Sequence, residues 1–314
     1  MKVAVVGAGV MGCAAAWALR GRGADVTVYE QFELDNTRGS SHGRTRIFRI
    51  AYPDPFWIRF AQEAYEGWKE LDPSLLELHG LVELAPDPGL TSSAGLDECG
   101  VEYRFVTEVE GVAIPDGWAA LHVADAGIVH AGRARHAFLD GVDVRTNTRI
   151  DSLDDVDADV VVVTAGAWVG RLLDGLDVRV TRETVAYFRH EGPPLPSVVD
   201  IGVDGGHDMY ALHDPVHGLK AGAHHAGPET DPDESGSPDP AIVERTAAWV
   251  RDRFPGVDPE PVETDTCVYT TTPDQTFVLD RRGRVVVGSA CSGHGFKFAP
   301  AVGRRLAALA LAEV

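Results

Sequence analysis

Cysteine is scarce in this chain: four in 314 residues, at positions 13, 99, 267 and 291. None stands in a C-x-x-C pair, which argues against a zinc ribbon, a thioredoxin-type motif or a disulfide scaffold. No apolar run approaches the roughly 18 residues that a membrane-spanning helix needs. The chain opens Met-Lys and runs straight into an apolar strand pattern, with no secretory leader architecture. Positive charge is also in deficit. Lys and Arg total 28 against 48 for Asp and Glu, a formal net charge of −20. A surface that acidic repels phosphate backbones and anionic lipid, so neither nucleic acid nor membrane is an expected partner. These absences together predict a soluble, cytoplasmic protein. The composition, 44% hydrophobic and 24% charged, is that of a globular chain long enough for two domains.

What is present begins at the second residue. Lys2–Val6 is a short apolar run, Gly7-Ala8-Gly9-Val10-Met11-Gly12 follows it, and an Ala-rich segment leads to a second β-branched run ending at Glu30. This is strand, glycine turn, helix, strand: a βαβ unit with an acidic residue eighteen positions after Gly12. Gly7 permits the tight turn, Gly9 lets backbone approach a pyrophosphate, and Gly12 lets the helix pack on the sheet. Val10 and Met11 open the helix, whose N-terminal N–H groups suit phosphate. Glu30 suits an adenosine ribose. The motif by itself leaves NAD and FAD equally open.

Further along, residues 31–43 read as a polar loop and Pro55–Leu71 as an amphipathic helix. Residues 81–118 read as short strands and loops, 131–139 as a helix, and 142–146 as a strand. The continuous apolar run 159–164 has the pattern of a strand buried in a parallel sheet. Strands are expected over 178–189, 209–223, 266–271, 276–279 and 284–289, and helices over 241–254 and from 297 to the end. The βαβ chemistry sits at both ends of the chain, and the middle reads as a second, strand-rich domain inserted into the first.

Four segments carry more specific chemistry. They are Gly39-Ser40-Ser41-His42-Gly43-Arg44-Thr45-Arg46-Ile47-Phe48-Arg49 continuing to Tyr52; Thr164-Ala165-Gly166-Ala167-Trp168; Cys267-Val268-Tyr269-Thr270 with Pro273-Asp274; and Gly293-His294-Gly295-Phe296-Lys297-Phe298. In this order the chain resembles the flavin-dependent amine oxidases typified by monomeric sarcosine oxidase and N-methyltryptophan oxidase. Residues 80–160 and 180–265 match only loosely, the middle domain reads as trimmed, and the chain is short for the family.

The resemblance implies an α/β fold of the two-domain α+β kind: a Rossmann-type FAD-binding domain interleaved with an antiparallel-sheet substrate domain. The expected boundaries are 1–79, 124–178 and 267–314 for the first, and 80–123 and 179–266 for the second. It implies FAD, held by Ser40, Ser41, His42, Arg44, Thr45, Arg46, Ala165, Gly166, Trp168, Gly293, His294, Gly295, Phe296 and Lys297 as well as the glycine turn. It implies a thioether from Cys267 to the flavin; the other three cysteines are expected to be inert buried thiols. It further implies Arg49 and Lys297 as the grip on a substrate carboxylate, a task suited to a planar guanidinium. Gly218-Leu219-Lys220-Ala221-Gly222-Ala223-His224 resembles the family's strand that sets a lysine near the flavin's reactive nitrogen, where positive charge favours electron transfer to O2. His224, Tyr210 and Tyr269 are expected to wall the substrate pocket.

The implied reaction is oxidation of the C–N bond of a small amino acid, a secondary amine such as an N-methyl or cyclic amino acid, to an imine, with O2 reduced to H2O2. The expected partners are that substrate and O2, and the expected state is a monomer. Two alternatives stand beside it: an FAD-dependent amino acid dehydrogenase with another electron acceptor, and a non-catalytic flavin-binding module. No metal site is expected, because His207, His213, His217 and His225 show no ligand spacing.

Overall fold

The computed structural model describes residues 1–204, 207–289 and 291–312. Strand β1 (Lys2–Val6), helix α1 (Val10–Arg20) and strand β2 (Asp25–Tyr29) form the expected βαβ unit. It sits at the centre of a six-stranded sheet in the order Val278–Arg282, Val285–Ser289, Val160–Val163, β1, β2, Asp143–Arg145. All its neighbours are parallel except the Val278–Arg282 edge. The four valines 160–163 show why the run is continuously apolar. Val160 and Val162 pack in the core beneath α1, while Val161 and Val163 join a second cluster with Val169 on the opposite face. A strand covered on both sides has no polar face to offer.

Helix α1 is buried nearly all round, which its alanines allow. The C-terminal helix Ala299–Leu311 crosses it so closely that a Cβ on Gly303 would lie 2.3 Å from the Ala14 carbonyl oxygen. Helix α2 (Pro55–Leu71) starts where expected: Pro55 takes the first position, and the Asp54 carboxylate accepts a hydrogen bond from Phe56 N at 2.8 Å.

An eight-stranded sheet provides the other half of the molecule. Its order is Pro261–Thr271, Arg179–Arg189, Gly218–Ala223, His207–Asp214, Ser197–Asp204, Leu81–Ala85, Ala119–Val123, Arg104–Phe105. One face is apolar and covered by the helix Pro240–Arg253, with Ala186, Phe188, Met209, Ala211, Leu219 and Ala221 packing against Trp249 and Val250. The alternate residues Val185, Tyr210, Leu212 and Lys220 point the other way and line a cleft. A three-stranded sheet, Thr45–Phe48, Gly127–His130 and Leu76–Glu77, carries the arginine segment.

Four expectations are corrected. Residues 81–118 contain a helix, Ser93–Cys99, closed by Gly100 at φ +64°; seven residues are too few to show a helical period. The run 209–223 is a hairpin of two strands, turned where Asp214 Oδ2 accepts from Val216 N and His217 N. Ser197–Asp204 was not anticipated and pairs parallel to Leu81–Ala85. The strand expected over 266–271 begins at Pro261 and belongs to the eight-stranded sheet, so a boundary at 267 falls inside it.

Candidate active site

The ends of the parallel strands and the open face of the eight-stranded sheet enclose a large cleft that runs from the glycine turn to Lys297. Gly7 has φ +102°, and a Cβ there would lie 2.6 Å from the Thr164 carbonyl oxygen; one on Gly12 would lie 1.9 Å from that of Gly7. Fold closure therefore demands both glycines. Gly9 is different, since its Cβ would meet only Ser41 Oγ at 3.4 Å, an ordinary contact. Helix α1 has no side-chain cap and no acidic residue in its first turn, and Val10 N donates to Ser41 Oγ at 2.9 Å. A helix N-terminus without an acidic first turn favours negative charge. Glu30 is buried at the end of β2, accepting from Ala8 N at 2.9 Å and Phe32 N at 3.0 Å. A carboxylate has further lone pairs to offer.

The segment from Ser40 to Arg49 forms one wall. Arg46 is locked by the loop's own carbonyls: it donates to Thr45 O at 2.8 Å, Ser40 O at 2.7 Å and His42 O at 2.5 Å. Ser40 Oγ in turn donates to Val268 O. His42 is buried with Nδ1 3.4 Å from Asp265, and burial together with the charge of Arg46 holds its pKa down at about 4. Thr45 lines the cleft and donates to His213 O at 3.1 Å. Arg44 does not line the cleft. Its guanidinium pairs with Asp214 at 2.7 Å and with Glu263 at 3.1 Å, over the Tyr187 ring. The expectation that it holds the cofactor is corrected: two carboxylates more than 150 residues away along the sequence take its charge.

Ala165, Gly166 and Trp168 continue the strand Val160–Val163 into the cleft, Trp168 donating to Asp233 at 2.7 Å. Cys267 lies on the strand Pro261–Thr271 and lines the cleft, its thiol pushed up to about 11 by burial against the opposing charges of Arg46 and Lys220. Cys291 also lines the cleft, a correction to its expected place as an inert core thiol. Cys13 is fully buried as expected, and Cys99 is half-buried outside the cleft.

At the far end two basic side chains share one aromatic ring. Arg49 Cζ lies 4.3 Å and Lys297 Nζ 5.7 Å from the centre of Tyr52. Lys297 Nζ donates to His294 O at 2.7 Å, and burial plus the charge of Arg49 pushes its pKa well below the ordinary lysine range. Arg49 meets the buried Glu83 at 3.4 Å, whose oxygens are otherwise taken by Ser92 N and Ser92 Oγ. Lys220 is buried and held down at about 7, by burial first and Arg46 second. His224 shares the face of Lys220, its Nδ1 3.4 Å from Tyr269 Oη, and burial keeps it well below the usual histidine value. Tyr210 and Tyr269 wall the same space, and the missing side chain of Gly222 makes room for the Tyr210 hydroxyl. His294 sits in the turn between Gly293 and Gly295, with Nε2 3.2 Å from Gln275 O, while Gly295 and Phe296 complete that wall.

Residues 2–309 match the DAO family, described as FAD dependent oxidoreductase. The chain belongs to this family. It is 32% identical to the peroxisomal sarcosine oxidase of Mus musculus over 98% of this chain and 91% of that one. It is 29% identical to the monomeric sarcosine oxidase of Bacillus sp. (strain NS-129), covering 98% and 92%. Among solved structures, NikD, an unusual amino acid oxidase essential for nikkomycin biosynthesis, superposes with a TM-score of 0.85 at 24% identity, covering 98% of this chain and 93% of that one. The protein is an FAD-dependent amine or amino acid oxidase of the sarcosine oxidase-like group, with the mixed α/β fold expected of it.

The residues present fit FAD. The Gly9 backbone is bare toward the cleft, and two cleft-lining nitrogens, His42 Nε2 and Arg135 Nε, are buried without a hydrogen-bond partner among the described residues. Arg135, Tyr52 and Glu83 went unnoticed as site residues in the sequence. Glu83 left a usable signal, an acid inside the apolar run Leu81–Ala85. Arg135 left none, because an arginine on a polar helix reads as solvated.

Proposed function

We propose that this oxidase converts the C–N bond of a small amino acid, a secondary amine such as an N-methyl or cyclic amino acid, to an imine, with O2 reduced to H2O2. The observation that carries the reading is the pair Arg49 and Lys297 flanking Tyr52 in the same cleft as the glycine turn. The half-buried guanidinium of Arg49 and the buried amine of Lys297, which donates to the His294 carbonyl, are suited to a carboxylate. Bound FAD would supply the electron acceptor. The glycine turn, Val10, Met11 and Glu30 would hold its dinucleotide half, and Arg46, His42 and the 293–297 turn its ring. His224, kept neutral by burial, adds no positive charge of its own beside the incoming amine. Lys220, in its protonated form, can assist O2 where electrons arrive. Cys267 would be the attachment point; the charges of Arg46 and Lys220 oppose, without outweighing, the burial that holds its thiol up at about 11.

The relatives' names support a small amino acid substrate and an enzyme that works as a single chain. The two-domain division, with the eight-stranded sheet serving substrate, and a cytoplasmic location complete the reading.

The test begins with denaturing precipitation. Flavin is expected in the pellet of the native protein and in the supernatant of Cys267→Ala. A panel of N-methyl and cyclic amino acids is then mixed with the enzyme anaerobically and under air. Bleaching with stoichiometric peroxide on aeration supports the reading. Bleaching without peroxide assigns another electron acceptor, and no bleaching by any amine leaves a flavin-binding module.

A further inference from the structure

A second cluster lies outside the cleft, where the three-stranded sheet meets the hairpin 207–223. Glu77 and His79 flank the end of the short strand Leu76–Glu77, and His213 comes from the strand His207–Asp214. One potential ligand atom from each falls within 4.8 Å of the others. Glu77 Oε2 lies 3.2 Å from His79 Nε2, and the rings of His79 and His213 meet edge to face at 5.3 Å. We propose that Glu77, His79 and His213 bind a divalent transition metal ion, and that Zn2+ is the ion their chemistry fits.

Two imidazoles and one carboxylate make a zinc ligand set that leaves a fourth position for water. Ligand atoms on a tetrahedral zinc stand about 3.4 Å apart, given bonds near 2.1 Å. The Glu77–His79 edge, at 3.2 Å, is close to that length, and the edges to His213, each no longer than 4.8 Å, need to close by at most about 1.4 Å.

The surroundings supply what a metal site needs around its ligands. His213 Nδ1 is 3.2 Å from Gly218 O. A carbonyl can only accept, so Nδ1 holds the proton and Nε2 is left with its lone pair. His130 Nε2 donates to Glu77 Oε1 at 2.5 Å, orienting the carboxylate. Ligands held by carbonyls and by other rings in this way are the usual outer shell of a metal centre. The Glu77 side chain is 39% exposed, so an ion has a path in and a water can complete its coordination.

The ion would tie the sheet bearing Arg46 to the hairpin bearing Lys220. The join already exists in weaker form, since Thr45 Oγ1 donates to His213 O. Binding the native state alone would raise stability with free metal concentration.

The experiment uses tag-free, flavin-loaded protein dialysed against Zn2+, with metal per chain read by elemental analysis and the thermal midpoint read with and without zinc. About one zinc per chain and a higher midpoint are expected. His79→Gln and His213→Gln should each weaken zinc binding at least tenfold and abolish the thermal shift. His136→Gln, an exposed histidine paired with Asp35, should do neither. Flavin absorbance per chain reports whether each variant has folded; Glu77→Gln gives an independent ligand test should either histidine variant lose flavin. Wild-type protein without zinc, or folded ligand variants that bind it undiminished, would overturn the proposal. Neither readout depends on amine oxidation.

Discussion

At the residue scale, the cleft keeps basic groups short of protons. Lys297 is the clearest case: burial and the neighbouring guanidinium of Arg49 both oppose its charge. A carboxylate arriving between them restores the favourable charged form, so binding draws a proton onto Lys297 Nζ. Above the depressed pKa, affinity for a carboxylate inhibitor is therefore expected to fall about tenfold per pH unit. The perturbation of the flavin spectrum on titration measures this directly. Lys297→Met should bind weakly with a flat pH profile; a sloping profile in that variant would assign the proton elsewhere. Glu83 tempers the same site, since its carboxylate offsets part of the Arg49 charge from within the sheet.

The cleft keeps its shape at the scale of elements because the sheet behind it is pinned from the back. The helix Pro240–Arg253 is fastened by one buried carboxylate: Trp249 Nε1 and Arg253 Nε both donate to Asp200 Oδ2, at 2.7 and 2.6 Å. Asp200→Ala strands a buried guanidinium and an indole N–H, an expected loss of about 3–5 kcal/mol. Asp143→Ala, which breaks a pair with Arg145 exposed on both sides, should change stability by less than about 1 kcal/mol. Urea unfolding of the two variants separates these outcomes, and equal losses would show that the Asp200 contact is not what holds the helix.

For the whole molecule, the shared cause of these shifts makes acid the weak side. His42 is held at about 4 and His294 at about 3, against 6.5 for an unperturbed ring, chiefly through burial. The unfolded chain takes up these protons first, so stability is lost as pH falls below 6.5 and continues falling through about 4 and then about 3. Unfolding free energy measured by urea from pH 8 to 4 should decline with a slope that His42→Gln makes shallower. A flat profile across that window would mean that these rings are solvated. Net charge works in the opposite sense as carboxylates are protonated, because self-repulsion in a chain of −20 then eases.

What the sequence by itself determined was whatever depends on neighbours along the chain. The strand–glycine–helix unit, Glu30 and the start of α2 at Pro55 are read from spacing, because each meets partners a few residues away or in the next strand. The order of the four motif segments likewise carried the family and the flavin. Contacts across the chain were decided only by tertiary structure. Arg44 and Arg46 stand two positions apart in similar surroundings, yet distant carboxylates claim one and loop carbonyls the other. Cys291 reads like any lone cysteine until the turn at 291–295 brings it to the cleft. Glu77, His79 and His213 have no ligand spacing at all. They meet because two sheets abut, and the abutment of sheets is a matter of packing that no local pattern encodes.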